Sequence, residues 1–170
     1  MVLIRGDITE ETTDAIVNAA NTGLRGGGGV DSAIHRAGGS KIMEECRKIG
    51  HCDTGSAVVT TGGNLSAKHV IHTVGPVYSG KGKDADLLAS AYCESLKRVS
   101  QIKAASVSFP SISTGVYGYP IEAASAIALK TIIGYLTAHS DIKLARMVLF
   151  SDKDLIVYEK SLSEILNSNT

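Results

Sequence analysis

Short runs rich in Val and Ile alternate along this chain with longer segments whose apolar residues recur at helical spacing. The runs Val2 to Arg5, Ala15 to Asn18, Ala57 to Thr61, Lys68 to Val74, Ser106 to Pro110 and Met147 to Ser151 read as strands. The segments Val30 to Ala37, Lys41 to Ile49, Asp84 to Ile102, Ile121 to Ala138 and Asp152 to Leu166 read as helices. Such alternation predicts an α/β domain. Runs such as HVIHTV and MVLF are apolar nearly throughout, as strands buried on both faces are, so the helices are expected on both sides of one sheet in three layers. The polar tail Asn167 to Thr170 is expected to fray. With no internal repeat and no low-complexity linker, function has to sit in the loops between strands and helices.

Composition narrows what those loops can do. At 170 residues the chain buries one substantial core and reads as a single domain over 1–170. Lys plus Arg and Asp plus Glu stand at 17 each, so no basic field exists to hold nucleic acid by counterion release. No apolar run approaches the roughly 20 residues of a membrane span, and the first residues lack a signal-peptide layout. The expectation is a cytoplasmic protein with neither membrane nor nucleic acid as partner. Cys46, Cys52 and Cys93 are odd in number and lack metal-ligand spacing, so reduced thiols are expected, with no metal and no cofactor.

The densest chemical signal is Asn18-Ala-Ala-Asn21-Thr-Gly-Leu-Arg-Gly26-Gly-Gly-Gly29-Val30-Asp31, which runs from a strand end through four consecutive glycines into a helix. Glycine loses more backbone entropy on folding than any other residue, so such a run needs a reason, for instance a ligand lying close to the backbone. Bare N–H groups beside a helix N-terminus form an anion site, and phosphate is the expected anion. The alternative is a flexible surface connection. A second stretch, Phe109-Pro-Ser-Ile-Ser113-Thr114-Gly115-Val116-Tyr117-Gly-Tyr-Pro120, also follows a strand, and the two together would grip a diphosphate from both sides. Alone, that second stretch reads equally well as turn and capping chemistry. The dinucleotide register GxGxxG fails, because Asp31 stands where its last glycine would fall. Gly75 to Gly82 nearly forms a P-loop, but Gly82 replaces the magnesium-holding hydroxyl and Pro76 lacks an N–H. Only Arg25 brings a cation into either favoured loop, so backbone dipoles would do most of the binding.

Asp31 and His35 lie four apart on the predicted helix and share a face, as a catalytic carboxylate and its polar partner would. Each also has a plainer reading, Asp31 as a first-turn acid and His35 as a packing residue. The amides of Asn18 and Asn21 offer the donor and acceptor that ribose hydroxyls need, although Asn18 alternatively ties loops together. Asp7 leaves the first strand, where it either receives an exocyclic amine of adenine or caps a helix with Glu10. Phe150 ends the last apolar run; core packing is the default for a lone aromatic there, and stacking on a base the functional alternative.

Taken in order, GDIT at Gly6 to Thr9, IVNAAN at Ile16 to Asn21, GGGGVDSAIHRAGG at Gly26 to Gly39, VIHTVGP at Val70 to Pro76 and FPSISTGVYGYP at Phe109 to Pro120 resemble the macrodomain family, most closely its MacroD-type branch. The resemblance spans nearly the whole chain. It implies a three-layer α/β/α fold with a mixed central sheet, and a domain that binds ADP-ribose. In this branch it implies release of mono-ADP-ribose from acidic side chains of ADP-ribosylated proteins, or deacetylation of O-acetyl-ADP-ribose. Carried over by motif, Asp7 would contact the adenine amine, the Ile8 backbone its ring edge, and Phe150 would lie against the base. Gly27, Gly28, Gly29 and Val30 match one phosphate loop, and Ser113, Thr114, Gly115, Val116 and Tyr117 the other, with Tyr117 also flanking the distal ribose. Asn21 would hold that ribose, and Asn21 with Asp31 matches the pair tied to hydrolysis, His35 supporting the aspartate. Asp31 would position or activate water for attack at the ester carbonyl or the anomeric carbon, unless a substrate phosphate serves as base. Ser32 stands where glycine is common and would narrow the cleft, and Gly62 to Ser66 departs from the usual aromatic-and-proline connection. Alternatives that share the cleft are an ADP-ribose reader without turnover and a phosphatase acting on ADP-ribose phosphate.

Overall fold

Alternate residues of one strand show how the chain layers itself. In β2 (Ala15–Ala19), Ala15 and Val17 enter one buried cluster with Leu88, Tyr92, Leu129 and Tyr158, while Ile16 and the following Ala20 enter another with Ile34, Ile42 and Cys46. A strand fully buried on both faces needs apolar residues at both parities. The computed structural model describes residues 1–168. Before β2 come β1 (Val2–Arg5) and a 3-10 turn at Ile8–Glu10. After it come α1 (Gly29–Gly38), α2 (Ser40–Ile49), β3 (Ala57–Thr61), β4 (His69–Thr73) and α3 (Lys83–Gln101). Then follow β5 (Ser106–Phe109), α4 (Ile121–Ala138), β6 (Leu144–Leu149) and α5 (Asp152–Ser168).

The sheet runs β1-β6-β5-β2-β4-β3, with α1 and α2 on one face and α3, α4 and α5 on the other. This is the expected three-layer arrangement, and the sheet is mixed. Every neighbouring pair is parallel except β3 with β4. Those two are joined by a short connection closed by Gly62 N–H donating to the Lys68 carbonyl at 2.8 Å, too short to allow a parallel return. The carboxyl ends of the parallel strands therefore share one rim, where open α/β sheets bind ligands.

Two expectations are corrected at element ends. The last strand begins at Leu144, not Met147, because Arg146 stays in the ladder opposite Val2 and sends its guanidinium to Glu11 Oε2 at 3.2 Å. The strand ends at Leu149 and leaves Phe150 outside it. Of the predicted fraying tail, Asn167 and Ser168 are helical, with Ser168 Oγ donating to the Ile165 carbonyl; 169–170 lie outside the described residues. Among the described residues α4 is long and apolar enough to cross a membrane by length and composition, which the sequence reading did not foresee. In the fold it packs against α3 and α5, with Ala124, Ala128, Leu129 and Ile132 fully buried.

Candidate active site

The loops after β1, β2, β5 and β6 enclose, with the N-terminus of α1, a cleft of about 780 Å³. Ligand pockets span about 300–1,000 Å³, so a small organic molecule fits. Gly27, Gly28 and Gly29 form one wall and Ser113 to Tyr117 the opposite one. Asp7, Ile8 and Phe150 line the cleft where β1 and β6 end, and Asn21, Val30 and Asp31 line it where β2 ends.

The first wall is nearly all backbone. Asn21 braces it from beneath, its Nδ2 donating to the Gly26 carbonyl at 2.8 Å and its Oδ1 accepting from Arg25 N–H at 3.1 Å. One hydrogen of the Asn21 amide remains for other partners. Gly28 caps α1 with no side-chain bond, so the first-turn N–H groups face the cleft with the positive end of the helix dipole. Gly29 has φ +58, a left-handed conformation that a β-carbon disfavours. A Cβ on Gly27 would lie 3.3 Å from Asp31 Oδ2, which places that oxygen against the glycine run.

The second wall is framed by side chains. Tyr92, wholly buried, accepts from Ile112 N–H at 3.1 Å and donates to the Pro110 carbonyl at 3.3 Å. Ser111 Oγ shares a hydrogen with the Tyr158 hydroxyl at 2.8 Å, and Thr114 Oγ1 lies 2.9 Å from Ser111 Oγ. Burial pushes the Tyr158 hydroxyl up to about 12 and that of Tyr92 well above the ordinary tyrosine range, so both keep their protons. Ser113 sits at φ +66, and its Oγ is buried without a partner. Gly75 lets it pass, since a Cβ there would collide with Ser113 Oγ. Tyr78 N–H donates to the Tyr117 carbonyl at 2.8 Å and ties the Gly75 segment to this wall.

Beneath the cleft lies a buried polar cluster. Asp31 is 4% exposed in the first turn of α1; its Oδ1 accepts from Asn18 Nδ2 at 2.8 Å and sits 3.2 Å from His35 Nε2. The helical spacing thus brings Asp31 and His35 together. His35 does not line the cleft and reaches it only through Asp31, so its expected place among the catalytic groups becomes a supporting one. Asn18 is the larger correction. It is 0% exposed, lies behind Asp31 and touches no part of the cleft, so it cannot meet a ribose. Strand alternation could have revealed this, because Asn18 shares the covered face of Ile16 and Ala20. His72, fully buried on β4, stands opposite Asn18 in the ladder. Burial, and secondarily the ring of His35, lowers its pKa to about 3 and keeps it neutral. The Cys46 thiol beside it is pushed up to about 11 by burial first, then by Asp31 and Glu45.

Phe150 and Asp7 resolve alternatives the sequence leaves open, whereas Ser32 and Arg25 depart from expectation. Phe150 is 86% exposed on the rim, not in the core. Asp7 Oδ1 accepts from Thr9 N–H at 2.9 Å and from Thr9 Oγ1 at 2.7 Å, so it caps the 3-10 turn while also lining the cleft. Ser32 does not line the cleft and cannot narrow it. The cation on the cleft is Arg36; Arg25 sits in a separate depression with Met43 and Arg47. Arg36 falls outside the i, i+4 pattern of Asp31 and His35, and only the turn of α1 toward the opening shows its reach.

The family described as Macro domain matches residues 17–128. The chain is 54% identical to a macro domain-containing protein of Caldanaerobacter subterraneus subsp. tengcongensis, over 96% of this chain and 95% of that one. It is 47% identical to the O-acetyl-ADP-ribose deacetylase of Escherichia coli, over 95% of this chain and 94% of that one. Among solved structures, the Oceanobacillus iheyensis macrodomain with ADP matches at a TM-score of 0.94 and 44% identity, over 98% of this chain and 91% of that one. The Trypanosoma brucei macrodomain in complex with ADP-ribose matches at 0.90 and 40% identity, over 94% of this chain and 68% of that one.

Proposed function

The chain belongs to the macro domain family, and from that premise we propose that it binds ADP-ribose along this cleft and hydrolyses ADP-ribosyl esters. The substrates are O-acetyl-ADP-ribose and mono-ADP-ribosyl groups on Asp or Glu side chains of proteins. One observation carries the reading: Asp31 is buried, held at Oδ1 from behind, and has Oδ2 directed at the glycine wall where a diphosphate ester would lie.

The two walls divide the ligand between them. Gly27 to Val30 and the first-turn N–H groups of α1 take one face of the diphosphate, and Ser113 to Tyr117 take the other. Adenine lies between Asp7 and Ile8 on one side and the exposed ring of Phe150 on the other. The distal ribose and its ester then fall beside Asn21, Tyr117 and Asp31, where Asp31 Oδ2 orients the attacking water. The Arg36 guanidinium adds a full positive charge from α1 itself to the cleft lining.

The test is release of free ADP-ribose from a mono-ADP-ribosylated glutamate peptide and from O-acetyl-ADP-ribose, followed by mass spectrometry. Asp31→Ala is expected to lower release by about 100-fold or more while ADP-ribose still binds. Turnover in 18O-labelled water places the attack, since label in the carboxylate product marks the ester carbonyl and label in the ribose marks the anomeric carbon. Unchanged release by a folded Asp31→Ala protein would remove Asp31 from the chemistry. Binding without release by the wild type would leave a reader of ADP-ribose.

A further inference from the structure

The hydrogen bonds behind Asp31 have only one consistent set of directions. The Asn18 amide nitrogen lies 2.8 Å from Asp31 Oδ1 and 3.1 Å from His72 Nδ1. An NH2 group only donates, so both neighbours must offer lone pairs. Across the ring, His72 Nε2 is 2.8 Å from Thr60 Oγ1, whose own hydrogen goes to the Thr61 carbonyl at 3.0 Å. With that hydrogen committed, Thr60 Oγ1 can only accept from His72, and Cys46 Sγ, 3.8 Å from the same nitrogen, is the weaker second acceptor. The ring proton is therefore on Nε2, and Nδ1 is bare, which is the tautomer the Asn18 amide needs.

We propose that His72 is a positioning residue for the hydrolysis: its bare Nδ1 fixes the Asn18 amide with NH2 toward Asp31, anchoring Oδ1 and leaving Oδ2 to the cleft. The inference rests on the reading of Asp31 as the group that orients water. Its force comes from the alternative. Were Nδ1 absent, the second amide hydrogen would be buried without an acceptor and the amide held at Asp31 alone; were Nδ1 protonated, the amide would turn over and set Asn18 Oδ1 against the Asp31 carboxylate, oxygen against oxygen. Asp31 would then lose its anchor on the buried side and keep only His35, 3.2 Å away. Displacements of about 1 Å in such a group can cost about 100-fold in rate. Apart from the Nε2–H bond to Thr60 and the looser contacts of the ring with Cys46 Sγ and His35, the fully buried position would accept an apolar side chain.

The experiment compares three substitutions. His72→Asn keeps an amide oxygen near the position of Nδ1, His72→Gln moves its amide toward the position of Nε2, and His72→Leu removes both. His72→Asn is expected to keep kcat within about 3-fold, and the other two to lower it by about 10- to 100-fold, with KM and the ADP-ribose Kd within about 2-fold. Thr60→Val leaves the ring in place and removes the acceptor for Nε2–H together with the hydroxyl's bond to the Thr61 carbonyl; it is expected to lower kcat by about 3- to 10-fold, and it stands in if the His72 variants fail to fold. Wild-type kcat in folded His72→Gln and His72→Leu, or an equal loss in all three variants, would overturn the proposal. Hydrogen exchange of the Asn18 side-chain NH2 by NMR reads the link without turnover, slow in the wild type and His72→Asn, fast in His72→Gln. Equal exchange in wild type and His72→Gln would overturn the positioning role, whereas a protected amide in a wild type that releases no ADP-ribose would sink the hydrolase reading alone.

Discussion

The two walls of the cleft reach the same end by opposite means. One is stripped of side chains: Gly28 and Gly29 face the opening, and a Cβ on either would meet nothing within 4 Å. The other keeps its side chains and is held from the core, through Tyr92 and Tyr158, on to Ser111 and Thr114. The empty space beside the glycines is room for a ligand, so that wall is shaped by what it lacks. The framed wall is shaped by what stands behind it. A substitution at Gly28 in the first should therefore change binding with little effect on stability, and one behind the second should change both.

The largest effect is expected at Gly28, whose backbone is extended and tolerates a side chain. Gly28→Val should weaken ADP-ribose binding by about 30- to 100-fold in calorimetry, with the melting temperature moved by less than about 2 °C. A large fall in melting temperature would show that the glycine serves the fold instead. Next comes Tyr158→Phe, which takes the hydroxyl from Ser111; a stability loss of about 1 kcal/mol in urea unfolding and a few-fold weaker binding should appear together. Binding lost without stability would break the contrast between the walls. The smallest effect is expected at Thr114→Val, which removes the outermost bond of the frame and should weaken binding by about 2-fold.

Local pattern made much of this fold legible. Val- and Ile-rich runs and helical spacing located the six strands and five α-helices of the described residues but not the 3-10 turn at Ile8–Glu10, and the glycine run before a helix pointed to the first wall. What escaped depended on tertiary placement. Arg146 looked like the end of a loop because polarity alone does not show that a guanidinium can leave an edge-side pair toward Glu11. Asn18 looked like a ligand contact because its amide chemistry is right, although its strand parity sends it to the covered face. His72 lies in the VIHTVGP run, but spacing assigns it no role; only the register of β4 against β2 sets it opposite Asn18. For Phe150, which ends an apolar run, the residues alone favour core packing and the resemblance a place against the base; the strand stops before it and the ring lines the cleft.

The strand order also sets a schedule for synthesis on the ribosome. β1 has a single neighbour in the sheet, β6, and Gly6 to Ile8 stands beside Phe150 only once that pairing exists. The earliest strand to emerge must wait unpaired for the latest, while the glycine run and Asp31 are already available to pack. A growing chain held short of Leu144 would lack the end of the cleft formed by Asp7, Ile8 and Phe150 however well its middle had collapsed. Capture of nascent chains on immobilised ADP-ribose would consequently report completed threading of the sheet, and the ligand would favour the finished topology over every partial one.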